Sequence, residues 1–567
     1  MMEGSTKKRL PVGYEDFKQI IDNDRYYVDK TMLIYELLCG DAQNTIITRP
    51  RRFGKTLNFS MLRYFFDITE KENAYLFDTL NISKHYAEIE RYRNAYPVIS
   101  ISLKCGKQGS YEAAVDSICV EIQDQFVKYD FIADSGRLKA TDNNKFKMLL
   151  ETLEYSDKLF KGSIKLLSTC LKQYYGSNVV ILIDEYDVPL EDAYFSGYYD
   201  DMVRFIRSLF ESALKTNAAL EFSVITGCLR ISKESIFTGL NNLKVQSILS
   251  PNYSEYFGFL ESEVMEMFKY YGFDDKFDTA KCWYDGYLFG TTEVYNPWSI
   301  INYVSDLRKD PNAQPEASWA NSSSNNIIRR LVEQSNNDTK EIVERLVNGG
   351  SVDTSINETT TYGDLNNGNE NIWSFLLFTG YLTPNKLISS GVLTGDDNIY
   401  SLVIPNLEIK NCYKSIIKQY FDICKQQIKK DDLYKALLAR DAAGFAKQIT
   451  ELLRKSISYY DNAEQFYHGL IAGLLSGDIY YRVVSNREAG CGRSDLMIYQ
   501  ESASQNAIIL ELKVCRGTEK PDEAAQRALR QIDERDYAAE AQAQGYKNII
   551  KYGIAFKGKL CHAVVGD

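Results

Sequence analysis

The chain has 567 residues, 44% hydrophobic and 25% charged, with a formal net charge of -11. That length exceeds what one hydrophobic core organises and implies about three domains, while the ordinary composition excludes a largely disordered chain. The acidic balance argues against a constitutive, high-affinity nucleic-acid binder but leaves room for a local basic groove.

Met1–Leu10 is polar and basic with no apolar stretch behind it, which predicts no secretory signal. Asn44–Thr48 reads as a strand, followed by a helix with Met61, Leu62, Phe65 and Phe66 on its apolar face. Tyr96–Leu103, Val179–Ile183 and Phe222–Thr226 read as further strands. Strands alternating with helices predict an α/β domain over residues 1–250, a parallel sheet flanked by helices. Residues 251–430 read as mostly helical, with aromatic clusters at Trp283–Tyr284 and Tyr295–Trp298. Within them, Asn336–Asn371 is rich in Asn, Thr, Ser and Gly; it predicts a flexible loop interrupted by a helical Glu341–Val347. Residues 431–567 regain strand character. Asp495–Gln500 and Ala507–Val514 form a hairpin across the turn Glu501–Asn506; a helix from Asp522 to Ala541 and a strand near Tyr552–Phe556 follow.

The eleven cysteines are scattered and only three histidines occur, so a structural zinc site is not expected and reduced thiols in a cytoplasm are. No apolar run reaches the ~18 residues of a membrane span.

Arg49-Pro50-Arg51-Arg52-Phe53-Gly54-Lys55-Thr56 lies between a predicted strand and a predicted helix, the setting of a phosphate-binding loop. Amides around Arg52, Phe53 and Gly54 attract phosphate oxygens, Lys55 reaches the β- and γ-phosphates of ATP, and the Thr56 hydroxyl ligates Mg²⁺. Arg49 stands where the usual first glycine would fall, so a site that binds ATP without hydrolysing it stays open. Val179–Ile183 is an apolar strand ending in Asp184 and Glu185, a Walker B arrangement. Asp184 holds Mg²⁺, directly or through water, and Glu185 orients or deprotonates the attacking water. Thr226, ending the next strand, is placed to sense the γ-phosphate. Arg230 reads either as a group stabilising transition-state charge or as an ordinary surface arginine.

Together with Tyr26–Thr31, Ile183–Asp187, Thr226–Ser235, Leu240–Leu243, Trp283–Tyr287 and Tyr295–Trp298, these motifs resemble the bacterial AAA-ATPase-like proteins over almost the whole chain. The resemblance implies that the arginine-rich loop is a family trait. It also implies a C-terminal domain of the PD-(D/E)XK nuclease superfamily.

The C-terminal hairpin supplies a second site. Strand alternation puts Glu511 and Lys513 on one face and Leu510 and Leu512 on the other, with Asp495 of the partner strand beside Glu511. Two carboxylates and a lysine suit Mg²⁺ or Mn²⁺, which lowers the pKa of a bound water and neutralises phosphate charge, while Lys513 positions the water or steadies the developing oxyanion. This resembles the PD-(D/E)XK site, with Ser494 in place of its proline. Glu464, on a preceding helix, is a further metal ligand candidate and Glu488 a weaker one. Gln531 and Tyr537 resemble a Gln and Tyr that accompany some nucleases of the superfamily.

Acids and bases nearly balance in this domain, so Arg487, Arg493, Arg527, Arg530 and Arg535 could line a groove, although the last three read better as a solvated helix face. Trp283, Trp298, Trp319 and Trp373 read as core or domain contacts rather than base-stacking platforms, and His468 as structural; Cys491 and Cys515 lack metal-ligand spacing. The sequence therefore predicts an ATPase coupled to a metal-dependent nuclease acting on DNA or RNA, with no membrane span and with room for homo-oligomers. The alternatives are an ATP-dependent switch or scaffold whose C-terminal domain only binds, and a plain ATPase motor on nucleic acid.

Overall fold

The computed structural model describes residues 7–215, 217–229, 243–319, 328, 337–358, 361–363, 370–390, 397–426, 429–455, 464–476, 480–489, 492–500 and 506–566. The chain divides into two compact units, residues 1–324 with 351–411, and residues 325–350 with 412–567.

In the first unit, β1 (Asn44–Thr48), β2 (Val98–Ser102), β3 (Val179–Asp184), β4 (Leu220–Gly227) and β5 (Leu243–Gln246) form a parallel five-stranded sheet in the order β2-β3-β4-β1-β5. The expected strands at 44, 96, 179 and 222 are all present within a few residues of their predicted ends. Every residue of β3 is buried, the environment that selects an unbroken apolar run. β5 is an addition: it is an edge strand reading Leu-Lys-Val-Gln, half-exposed and too polar to stand out. Because β4 lies between β1 and β3, with Ile47 registered on Thr226 and Ile183 on Ile225, the C-terminal ends of these strands meet side by side. That edge is where open α/β sheets bind ligands.

Helices Glu261–Tyr271, Phe277–Tyr284 and Pro297–Lys309 pack around Val264, Phe268, Tyr284, Tyr295, Tyr303 and Leu307. Asn296 caps the last of them, its side chain accepting the Ser299 N–H at 3.2 Å, and Pro297 fits the first turn, where no backbone donor is needed. Helices predominate in the middle region, as expected, and five strands join them. β6 (Tyr287–Phe289) and β7 (Thr292–Val294) make a hairpin, and β8 (Val352–Ser355), β9 (Thr383–Ser389) and β10 (Ile399–Val403) an antiparallel sheet in the order β8-β10-β9. Four of these strands have five residues or fewer, and β9, though longer, is mostly exposed on both faces, so none shows a clear period of two. The predicted helix at Glu341–Val347 is found as Asn337–Val347; residues 336, 359–360 and 364–369 of the surrounding polar stretch lie outside the described residues.

Glu408 is fully buried in this unit, accepting hydrogen bonds from Trp319 N and Ser299 Oγ, both at 2.7 Å. Burial pushes its carboxyl up to about 7. An acid whose folded-state pKa is raised binds more protons folded than unfolded, so its contribution to stability falls as pH rises from the unfolded value through about 7. Glu408→Gln is expected to be more stable than wild type at pH 8, by at most about 3 kcal/mol, and so to melt higher there, with the difference vanishing near pH 5 in thermal scans.

In the second unit, β11 (Tyr481–Ala489), β12 (Gly492–Gln500), β13 (Asn506–Val514), β14 (Asn548–Lys557) and β15 (Leu560–Val565) form a sheet in that order. β13 and β14 are parallel and the other neighbours antiparallel. A parallel pair needs a crossover, supplied here by helix Pro521–Glu534. The single helix expected from Asp522 to Ala541 is instead two, Pro521–Glu534 and Ala538–Ala543, because Asp536 turns the chain at φ 50°. Leu496, Ile498, Ile508, Leu510 and Leu512 face a core shared with helices Lys430–Leu438, Ala442–Lys455 and Glu464–Leu475. Among the described residues no helix is long and apolar enough to cross a membrane.

Candidate functional site

The loop after β1 turns without its first glycine by shifting the left-handed backbone to Arg52 (φ 69°) and Gly54 (φ 83°). The Arg49 side chain is fully buried behind the loop. Its guanidinium donates to the carbonyls of Thr48 (2.9 Å), Gln246 (3.0 Å) and Asn252 (3.2 Å), and lies near the rings of Phe257 and Phe289. Burial pulls its pKa down to about 9. Lys55 sits in the curve of the loop, its ammonium donating to the carbonyls of Arg49 (3.0 Å) and Pro50 (2.8 Å).

Thr56, in the first turn of the helix Lys55–Phe66, donates to Asp184 Oδ2 at 2.7 Å, while Thr226 donates to Asp184 Oδ1. The sheet order brings these three residues together: Thr226 ends the strand that separates the loop from the Walker B strand. Gly227 completes the fit, since a Cβ there would lie 2.5 Å from the Tyr186 ring and 2.7 Å from Asp187 Oδ1. Burial raises the Asp184 carboxyl above the usual carboxylate range, partly offset by the two hydroxyls. A buried carboxylate beside a hydroxyl and a lysine is a donor set that fits Mg²⁺ with phosphate. Glu185, at φ 52°, lines the adjoining cavity of about 280 Å³ together with Arg52, Gly54, Lys55 and Thr56.

In the second unit, Leu512 N donates to Asp495 Oδ2 (2.8 Å) and Asp495 N to Glu511 Oε2 (3.3 Å), so the two acids are locked across β12 and β13. Lys513 Nζ reaches Glu511 Oε1 (3.0 Å) and Glu464 Oε1 (3.3 Å). Gln531 donates to Glu511 Oε1 at 2.5 Å and lies 3.3 Å from the Tyr537 hydroxyl. Burial first, and the Asp495 charge second, push the Glu511 carboxyl up to about 7; burial also raises Asp495. Paired, desolvated acids with a half-exposed Glu464 beside them fit a divalent hard cation.

Residues 11–237 match the family described as "Predicted AAA-ATPase", and residues 462–565 match the PD-(D/E)XK nuclease superfamily. The chain joins an AAA-ATPase-like domain to a PD-(D/E)XK nuclease superfamily domain. It is also 25% identical, over 95% of its own length and 95% of the relative's, to an uncharacterized protein in the vnfD 5' region of Azotobacter chroococcum mcd 1.

In the AAA-ATPase-like domain the Phe53 side chain is not at the cavity. Its ring packs on Tyr287 and Phe289 (centroids 5.0 and 5.1 Å apart), leaving only backbone for a phosphate. Arg230 lies outside the described residues, as does the segment 240–242. Three features escape sequence reasoning. Arg51 pairs with Glu191, and its carbonyl accepts from Trp319 Nε1 at 3.1 Å. Asp187 is buried and accepts the backbone N–H groups of Cys228 (2.9 Å) and Leu229 (3.0 Å), bracing the loop after β4. Trp298, expected as a packing residue, lies under the Arg52 guanidinium at 4.5 Å and lines the cavity. The only available signal was that the acid and the tryptophan sit in motifs of the family.

In the nuclease superfamily domain His468 hydrogen-bonds the Asp495 carbonyl at 2.9 Å, a structural tie beside the site. Arg527 pairs with Glu519, while the side chains of Arg487, Glu488 and Arg493, and residues 501–505, lie outside the described set.

Proposed function

We propose that the chain binds and hydrolyses ATP with Mg²⁺ in its AAA-ATPase-like domain, and that its C-terminal domain cleaves phosphodiester bonds of DNA or RNA with Mg²⁺ or Mn²⁺. What carries the reading is the presence in one chain of two polyanion-ready clusters: Thr56 and Thr226 converging on Asp184 beside Lys55, and Asp495, Glu511 and Lys513 converging with Glu464.

At the first cluster, Lys55 leaves the loop carbonyls for the β- and γ-phosphates, Asp184 and Thr56 would hold the cation, and Glu185 orients or deprotonates the water. Thr226 reports the state of Asp184 to the end of β4. At the second, Asp495 and Glu511, with Glu464, would hold a metal, which would supply an acidified water and charge neutralisation. Lys513 positions that water and stabilises the developing oxyanion, and Gln531 orients Glu511. The free thiols found among the described residues suit a cytoplasmic setting.

The test is to measure ATP turnover, and cleavage of end-labelled single- and double-stranded DNA and RNA, in Mg²⁺ and in Mn²⁺, with and without ATP. Metal-dependent cleavage abolished by EDTA is expected. ATP turnover with no cleavage under any condition would replace the nuclease half with the switch reading; absence of both activities and of ATP binding overturns the proposal. Gln531→Ala is expected to lower cleavage about 10-fold, the usual cost of losing a partner that orients a metal ligand, with ATP turnover unchanged.

A further inference from the structure

The mechanism above uses the phosphate end of the cavity and leaves its other end without a role. That end is apolar. Pro11, Ile20, Leu57, Pro297 and Ile301 line both the main cavity of about 280 Å³ and a smaller one of about 70 Å³ adjoining it. Half-buried Trp298, in the first turn of helix Pro297–Lys309, borders the main cavity, and the Arg52 guanidinium lies over its indole. An arginine of the phosphate loop thus covers an aromatic face in the same cavity that holds Lys55 and Thr56.

We propose that this end of the cavity is the nucleobase subsite of the bound nucleotide: the base stacks on Trp298 and fills the apolar recess, and Arg52 exchanges the indole for the phosphates. The inference rests on the ATP-site reading. A guanidinium over an aromatic face contributes only modestly where water reaches it, whereas a phosphate oxygen offers Arg52 a charge-assisted hydrogen bond. A base then takes the vacated face, since every base has a π-surface to stack.

The recess also predicts how the base is chosen. Three polar side chains at its inner end already have partners. Asn58 Nδ2 donates to the Tyr256 carbonyl at 2.9 Å, Lys30 binds Glu263 at 2.6 Å, and the Tyr27 hydroxyl lies 3.6 Å from Met61 Sδ. A site built to hydrogen-bond its substrate rejects analogues by ~10⁴-fold or more, while one that recognises shape and apolar area discriminates by about 10- to 200-fold. Adenine and guanine are therefore bound with affinities within about 100-fold of each other.

The experiment is equilibrium binding of MgATP, MgGTP and magnesium tripolyphosphate to the full chain, wild type and variants. Trp298→Ala is expected to weaken ATP and GTP about 10- to 100-fold each, with tripolyphosphate unchanged or tighter, because Arg52 is no longer retained by the indole. Trp298→Phe restores most of the loss and shows that the fold is intact, with melting temperature as a second check. Arg52→Ala is expected to weaken all three ligands. If Trp298→Ala leaves ATP affinity unchanged while tripolyphosphate still binds, the base subsite is wrong and the phosphate site stands. If the wild type binds neither ATP nor tripolyphosphate, the underlying reading fails first. An ATP-to-GTP preference above about 10³-fold overturns recognition by stacking.

Discussion

Replacing Lys55 with alanine is expected to cut ATP affinity by about 10²- to 10³-fold, because two charge-assisted hydrogen bonds to phosphate are lost at about 1.5–3 kcal/mol each, part of which water recovers. Lys55 is buried inside the loop, and the neighbouring cations are otherwise engaged: Arg49 with carbonyls behind the loop, Arg51 with Glu191, and Arg52 with Trp298 or with its own phosphate contact. Glu185→Gln should do the opposite. Its side chain lines the cavity without holding the loop together, so ATP binds near wild-type strength while turnover falls by about 10²-fold or more, the upper range of a lost general base. Asp184→Asn separates the two cases: its amide oxygen accepts from one threonine and its N–H donates to the other, but the charge is lost, so it weakens MgATP more than metal-free ATP. Calorimetric titration with a parallel phosphate-release assay reads all three. Unchanged ATP affinity in Lys55→Ala would falsify the assignment of the loop.

How much of this was legible depends on whether a residue's environment is set by its neighbours in sequence. β3 was, because burial on both faces demands a continuous apolar run and the acids at its end mark the ligand edge. The Asp495–Glu511–Lys513 face was, because the period of two in a strand is local. Arg49 was not. A charged residue reads as surface, and only the distant carbonyls of Gln246 and Asn252 explain its burial. The strands β5 to β8 and β10 are short, and β9 is longer but exposed on both faces over most of its length, so tertiary pairing rather than pattern defines them. The contact of Arg52 with Trp298 joins residues from different halves of the unit, and nothing local in either motif announces it.

At the C-terminal site, Glu511→Gln and Lys513→Ala are expected to lose nuclease activity by about 10²- to 10³-fold or more, the scale of removing one stabiliser of developing charge, yet to move stability in opposite directions. Glu511 is buried with its carboxyl raised to about 7, so above that pH the folded state carries an ion it disfavours. The sign follows: its contribution falls as pH rises from the unfolded glutamate value through about 7 and stays low above. Compared with wild type, the neutral Glu511→Gln variant should therefore melt roughly 2–4 °C higher at pH 8, with no gain near pH 5. Lys513 does the reverse. It pairs with Glu511 at 3.0 Å, so alanine strips the buried carboxylate of its nearest cation and lowers the melting temperature at pH 8. Added Mn²⁺ should raise the wild-type melting temperature and leave Glu511→Gln nearly unmoved, because a ligand that binds only the folded state stabilises by mass action. For the same reason cleavage should climb between about pH 6 and 8, as metal competes with the proton on Glu511. A structural pair would lose stability in both variants and ignore the metal. An inactive yet more stable glutamine variant instead marks an acid retained for what it binds.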